Sequence, residues 1–341
     1  MRVFVTGATG FLGINLIHTL ARQGHEIHAI YRNSASIDAL SHLNVHWYKG
    51  DILDELSLAK ACPEGIDWFF HLAADTSMWS QLNDQQTKIN VQGTANVLAC
   101  AVKKKVKRFI HTSSIAAYGI HHGQCISESS EQLGGQSFAN YYRSKFEAEC
   151  LVKQTVVNEG LQAVILNPCH LLGAWDSHNW SQMITMVANE VLPAVPPGRG
   201  SFCHIQAVAD AHIAAAERGR VGENYILSGI DATFEEFIQT IAVVVGKPVS
   251  KKPLPAWLLR LAAQVMNIVS FITRKEPDLT PEKILIICDE MLVSSEKAQR
   301  ELDYVANIPL EQMIRDSYEW LSSPESSKEA PSPSQAVVNG H

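Results

Sequence analysis

The chain opens with the apolar run Val3-Phe4-Val5 and passes at once into Thr6-Gly7-Ala8-Thr9-Gly10-Phe11-Leu12-Gly13, after which apolar residues recur at helical spacing. Strand, glycine turn and helix in that order are the opening of a βα unit that cradles phosphates. Gly7 permits the tight turn, Gly10 lets the backbone approach a pyrophosphate, and Gly13 lets the helix pack closely on the strand. The anion then sits at a helix N-terminus, where free N–H groups and the helix dipole favour negative charge. A parallel sheet follows from this start, because a strand that feeds a helix must cross over to its neighbour.

The rest of the first half keeps that alternation. Strands are expected at Val3–Thr6, Glu26–Tyr31, His46–Lys49, Trp68–Leu72, Arg108–Ser113 and Ala163–Asn167. Helices are expected at Leu12–Gln23, Leu56–Ala61, Gln86–Val102 and Tyr141–Asn158. This is the pattern of an α/β doubly wound, Rossmann-type parallel sheet. Beyond about Leu171 the alternation weakens into a Pro-rich loop, a short strand near Asn224–Leu227 and mainly helices. We read a dinucleotide-binding domain over 1–170 and a smaller, mainly helical substrate lobe over 171–321, some of whose segments return to the sheet. Residues 322–341 are rich in Ser and Pro and too polar to bury much apolar area, so a disordered tail is expected.

Seven cysteines are scattered without a CxxC pair, which argues against a disulfide framework and against a zinc site; no metal is expected, and a reducing cytoplasm fits. The start of the chain reads as a strand and not as a secretory signal. A net charge of −7 with dispersed basic residues gives no footprint for nucleic acid. The run Ala256–Thr273 is apolar enough to resemble a membrane span, but Arg260, Gln264 and Asn267 recur at intervals of four and three. Their common face predicts an amphipathic helix packed on the protein, with no integral span.

The glycine spacing GxxGxxG resembles the extended short-chain dehydrogenase/reductase family, also called the NAD-dependent epimerase/dehydratase family, within which the dihydroflavonol reductase-like and 3-beta-hydroxysteroid dehydrogenase-like enzymes are most similar. The resemblance implies that Thr9, Phe11 and Leu12 join the three glycines at the cofactor. It places Asp51 and Ile52 at the adenine, and His71-Leu72-Ala73-Ala74 along the cofactor. Asp51 is also a plausible plain helix N-cap. The second strand ends in Tyr31-Arg32-Asn33, with no carboxylate to take the ribose hydroxyls. Arg32 in that place suits a 2′-phosphate, so NADP(H) is preferred and NAD(H) is possible; the alternative is a solvated surface arginine.

Tyr141 and Lys145 are four residues apart and share one helix face. A free phenol titrates near ~10, and a neighbouring ammonium together with a cationic nicotinamide is expected to lower that value toward a working range. Tyr141 would then give a proton to a carbonyl being reduced, or take one in reverse. The stretch His111-Thr112-Ser113-Ser114-Ile115-Ala116-Ala117-Tyr118-Gly119 resembles the family's SSxxxYG segment. It implies a catalytic Ser114, with Thr112 beside the cofactor. The same resemblance gives Lys145 a hold on the nicotinamide ribose, makes Asn90 a supporting residue of the site and puts Asn167-Pro168 at the nicotinamide. It reads His212 as packing or capping. A homodimer through the Tyr141 helix is also consistent with the family.

These residues point to an oxidoreductase acting on a small, rather apolar carbonyl compound or its alcohol. Met78 and Trp79 follow HLAA and are candidate substrate contacts, with core packing as the alternative; Ser114 and His170 complete the expected substrate set. A nucleotide-sugar epimerase or dehydratase with tightly held NAD is the competing enzyme class, for which Arg199 and Arg218 are available cations. A sensor that only binds dinucleotide has no use for the full Ser, Tyr and Lys set.

Overall fold

The structure, a computed structural model, describes residues 1–323 and Ser326, so nearly all of the expected tail lies outside the described residues. Seven parallel strands form the main sheet: β1 (Arg2–Thr6), β2 (Glu26–Tyr31), β3 (Val45–Lys49), β4 (Trp68–His71), β5 (Arg108–Thr112), β6 (Ala163–Pro168) and β7 (Asn224–Leu227). Their order across the sheet is β7-β6-β5-β4-β1-β2-β3. The winding direction reverses between β1 and β4, and such a sheet binds ligands in the crevice beyond its strand ends at that point.

Both faces of the sheet are covered, which is why its strands are apolar at successive positions. Val3, Val5, Phe70 and Ile110 face α1 (Phe11–Arg22), through Leu16 and Leu20 among others. Phe4, Phe69, Phe109 and Ile165 face the other way, onto α2 (Glu55–Ala61), α3 (Gly93–Lys103) and α4 (Asn140–Glu159). The second lobe has its own core, in which Phe202, Phe234 and Phe237 pack with Leu172, Ile184 and Met313. A three-stranded sheet of Ile230–Thr233, Arg199–His204 and His170–Leu172 frames it.

The strand near 224–227 is no part of that lobe. It pairs with β6 as the seventh strand of the main sheet, and α5 (Ile205–Arg218) packs under the sheet through Val208 and Ile213. The chain thus crosses between lobes more than once.

The single helix expected over Gln86–Val102 is broken. Asn83–Thr87 is α-helical, Lys88–Gln92 forms a π turn, and α3 begins at Gly93. The Thr94 hydroxyl donates to the Asn90 carbonyl at 2.6 Å inside this widened turn. A Cβ at Gly93 would stand 2.6 Å from Ile52 Cδ1, so a side chain there would push the Ile52 tip aside.

The helix α6 (Ala256–Thr273) has the expected bounds and packs on the protein, but along a narrow face only. Only Leu259, Ala263 and Ser270 are buried, and the large apolar side chains on the opposite side are exposed. Arg260, Gln264 and Asn267 lie between the two faces. Periodicity locates the polar residues of a helix but does not say which face meets the protein.

Candidate active site

The glycine turn has the shape of an anion cradle. Gly7 has φ +74°, and a Cβ on it would lie 2.5 Å from the Ala73 amide nitrogen, so the turn presses against Leu72 and Ala73 beyond β4. A Cβ at Gly13 would fall 2.1 Å from the Gly7 carbonyl oxygen. At Gly10 the same test meets only that oxygen, at 3.4 Å, so its bareness serves the crevice and not the protein's own packing. No side chain caps α1 at Gly10, which leaves the first N–H groups of the helix, from Phe11, Leu12 and Gly13, aimed at a ligand. Thr9 is half-buried in the same loop. These features fit a dinucleotide pyrophosphate.

Arg32 is exposed directly after β2. Asp51 does not cap α2, because Asp54 does so by accepting from Leu56 and Ser57. One oxygen of Asp51 accepts from the Leu53 amide at 2.9 Å. Ile52 is buried against Gly93, and its carbonyl accepts from Asn96. Leu72, Ala73 and Ala74 are half-buried along the crevice.

Ser114, Tyr141 and Lys145 come together just past the end of β5. Ser114 caps the short 3-10 turn Ile115–Tyr118 by accepting from the Ala116 amide at 3.2 Å. Lys145 Nζ donates to the Thr112 carbonyl at 2.9 Å. Burial pushes the Lys145 ammonium down to about 8, with Glu149 acting in the opposite direction. The Tyr141 phenol departs from expectation: burial raises it above the ordinary tyrosine value, against a hydrogen bond with Ser114 that pulls it back. Its neighbouring ammonium is turned to the strand end, so the phenol is a protonated acid in this state.

A second set of side chains fixes the first. In the π turn, Asn90 donates to the Asp75 carbonyl at 2.9 Å and to Ser144 Oγ at 3.0 Å, and accepts from the Asp75 amide at 2.7 Å. This ties the segment after HLAA to α4. π turns recur at functional sites because they redirect one side chain without ending the helix. His212 is fully buried and bridges Thr112 Oγ1 at 2.8 Å to the Val208 carbonyl at 2.8 Å, so it holds the residue on which Lys145 rests.

Asn167, expected at the cofactor, has internal partners for its side-chain amide. It is fully buried, and its amide donates to the Ser114 carbonyl at 3.0 Å and to Glu149 Oε1 at 2.5 Å. Pro168 ends β6 and is buried beside Leu227. Glu149 carries no signal in the sequence beyond its place four residues after Lys145. In the structure it is fully buried and also accepts from Asn224 at 2.8 Å and Gln132 at 2.6 Å. Removing it takes an acceptor from the buried amides of Asn167 and Asn224 and from the half-buried Gln132, so Glu149→Ala is expected to cost roughly 2–4 kcal/mol in urea unfolding, whereas Glu149→Gln keeps one acceptor oxygen and is expected to cost less. Equal losses for the two would overturn this reading of the cluster.

The substrate candidates separate. Met78 packs with Ala116, Tyr142, Tyr141 and Leu285, forming an apolar wall beside the phenol. Trp79 is turned away and donates from Nε1 to Ser270 Oγ of α6 at 3.3 Å. His170 belongs to the core of the second lobe, 4.5 Å from Trp180 and 5.4 Å from Phe202 between ring centroids, and only 8% exposed.

A doubly wound sheet with an uncapped glycine cradle and a titratable cluster at its strand ends defines a dinucleotide-dependent enzyme. The chain belongs to the NAD-dependent epimerase/dehydratase family, whose model matches residues 3–228. It is 30% identical to a putative dihydroflavonol 4-reductase of Synechocystis, over 94% of each chain. It is 28% identical to sterol demethylase protein B of Methylococcus capsulatus, over 89% of this chain and 94% of that one. Among solved structures, gox2253 superposes with a TM-score of 0.82 at 30% identity, covering 94% of this chain and 97% of the other.

Proposed function

We infer that the protein is an NADP(H)-preferring reductase of a small, rather apolar ketone or aldehyde, or the dehydrogenase of the matching alcohol. The observation that carries this is the meeting of Ser114, Tyr141 and Lys145 past β5 beside the apolar Met78 wall. The dinucleotide, when bound, supplies or accepts a hydride. Ser114 donates a hydrogen bond to the substrate oxygen and stabilises charge as it develops there. Tyr141 gives its phenolic proton to that oxygen. Lys145, on the same helix face as Tyr141, would hold the ribose hydroxyls of the bound dinucleotide. Two relatives named for a dihydroflavonol and for sterol chemistry support a bulky, apolar substrate class.

Arg32 supports the NADPH preference, since an exposed guanidinium beside the glycine turn is free to pair with a 2′-phosphate. Consumption of NADPH and NADH by the purified protein across flavonoid-like, steroid-like and simple apolar carbonyls tests the reading. NADPH is expected to be favoured, and Arg32→Glu is expected to reverse the preference by about tenfold or more, on the strength of charge-assisted bonds. Protein that carries NAD, turns over no carbonyl and epimerises a nucleotide sugar would replace this reading.

A further inference from the structure

Helix α6 presents an apolar surface that nothing in the described fold covers. Trp257, Leu261, Val265, Ile268, Phe271 and Ile272 are between 52% and 82% exposed. At 100° per residue they fall on one side, opposite the buried Leu259, Ala263 and Ser270. Contiguous apolar surface of this extent marks an interaction site.

The charge around it says what kind. Between residues 251 and 278 the chain carries Lys251, Lys252, Arg260, Arg274 and Lys275 against only Glu276 and Asp278, a net positive stretch in a protein of net charge −7. The cations flank both ends of the helix. A twofold contact between two such helices would set basic ends against basic ends in either orientation, which disfavours a second copy as the occupant. An anionic phospholipid surface satisfies both features, with apolar side chains in the acyl boundary and Lys and Arg at the headgroups.

Among the described residues this is the one helix long and apolar enough to cross a membrane by length and composition. Its anchors forbid crossing. On the N-terminal side Leu254 donates to the Val195 carbonyl, and on the C-terminal side the Thr280 hydroxyl donates to the Met78 carbonyl. Ser270 is held in between by Trp79 and Gln81. Both ends therefore return to the same side of the folded chain, one against each lobe, whereas a span would put them on opposite sides of ~30 Å of hydrocarbon.

We propose that α6 seats the protein on anionic membranes as an in-plane amphipathic helix. The bonds of Thr280 to Met78 and of Ser270 to Trp79 join the helix to the segment whose Met78 packs in the same cluster as Tyr141.

Co-sedimentation of the full chain with phosphatidylglycerol/phosphatidylcholine vesicles, and with vesicles of phosphatidylcholine alone, tests this without any turnover, so it stands or falls apart from the reductase reading. Binding is expected to the anionic vesicles and to weaken with salt. The triple variant Leu261→Ser, Ile268→Ser, Ile272→Ser is expected to bind about a hundredfold more weakly, from the apolar area lost. Lys252→Glu with Lys275→Glu alters only exposed side chains and is expected to lose about tenfold or more. Thermal unfolding checks that both variants remain folded. Failure of the native chain to sediment with anionic vesicles overturns the proposal, as does binding that neither variant changes. A dimer that the triple serine variant converts to monomer, with no vesicle binding, would assign the face to a second copy instead.

Discussion

Replacing Tyr141 with Phe is expected to lower kcat about 10²- to 10⁴-fold, the usual worth of a positioned proton donor, while KM and cofactor affinity stay close to those of the native enzyme. The split follows from the geometry. The phenol hydrogen-bonds Ser114, and none of the glycine-turn contacts passes through it. The pH profile carries a second signature. Because burial raises Tyr141, its phenol stays protonated through neutral pH and is ready to give its proton in the reductive direction. Lys145, lowered to about 8, is an ammonium below that value and neutral above it. In the reductase reading it acts as the ammonium that holds the ribose hydroxyls, so reduction is expected to fall as pH rises through about 8. Lys145→Met is expected to remove that limb together with most of the rate. A Tyr141→Phe enzyme that retained native turnover would show that the proton comes from elsewhere.

Much of this site was legible in the sequence because short-range pattern specifies it. Gly7, Gly10 and Gly13 are demanded by a turn that leaves no room for a Cβ or must leave a crevice open, and an i, i+4 Tyr–Lys pair is bound to share a helix face. What escaped depends on which side chains meet across distant segments. Glu149 reaches Asn167, Asn224 and Gln132 from three other parts of the chain, and no local spacing announces that. Asn167 was placed at the right strand end, but the bond from its side-chain amide to the Ser114 carbonyl could not be read from spacing. The strand Asn224–Leu227 was seen and a return of some later segments to the sheet was expected, but its particular partner, β6, was not named, since strand pairing is a long-range choice. The exposed apolar face of α6 shows the same limit: the sequence fixes the helix and its stripes, and the tertiary contacts of Leu259, Ala263 and Ser270 choose which stripe is hidden.

Acid is expected to unfold the protein well before its carboxylates are exhausted. Among the described residues five histidines are buried, and four of them, His71, His111, His170 and His212, have no carboxylate partner that would favour their charged form, unlike His28 beside Glu26. Burial holds His71 and His170 down at about 3 and His212 at about 4, and drives His111 well below the ordinary value. In the unfolded chain each titrates near ~6.5. Between that value and the depressed ones, the unfolded state therefore binds protons that the native state refuses. The native state's advantage is intact above pH 6.5 and declines as pH falls through this window, by roughly 1.4 kcal/mol per histidine per pH unit once the unfolded imidazoles are charged. Over one or two units that sum rivals the ~5–15 kcal/mol stability of an ordinary domain. Urea midpoints at pH 7, 6 and 5 are expected to drop steeply, with several protons taken up on unfolding. His170 offers a clean subtraction, since its Nε2 has no partner and its ring already lies among Trp180, Phe202 and Phe234. His170→Phe keeps an aromatic ring there and removes one proton from the linkage, so it is expected to flatten the pH dependence by one histidine's share without losing the fold. An unaltered slope in that variant would mean that His170 is not held neutral in the native state, and that the acid sensitivity arises at other groups.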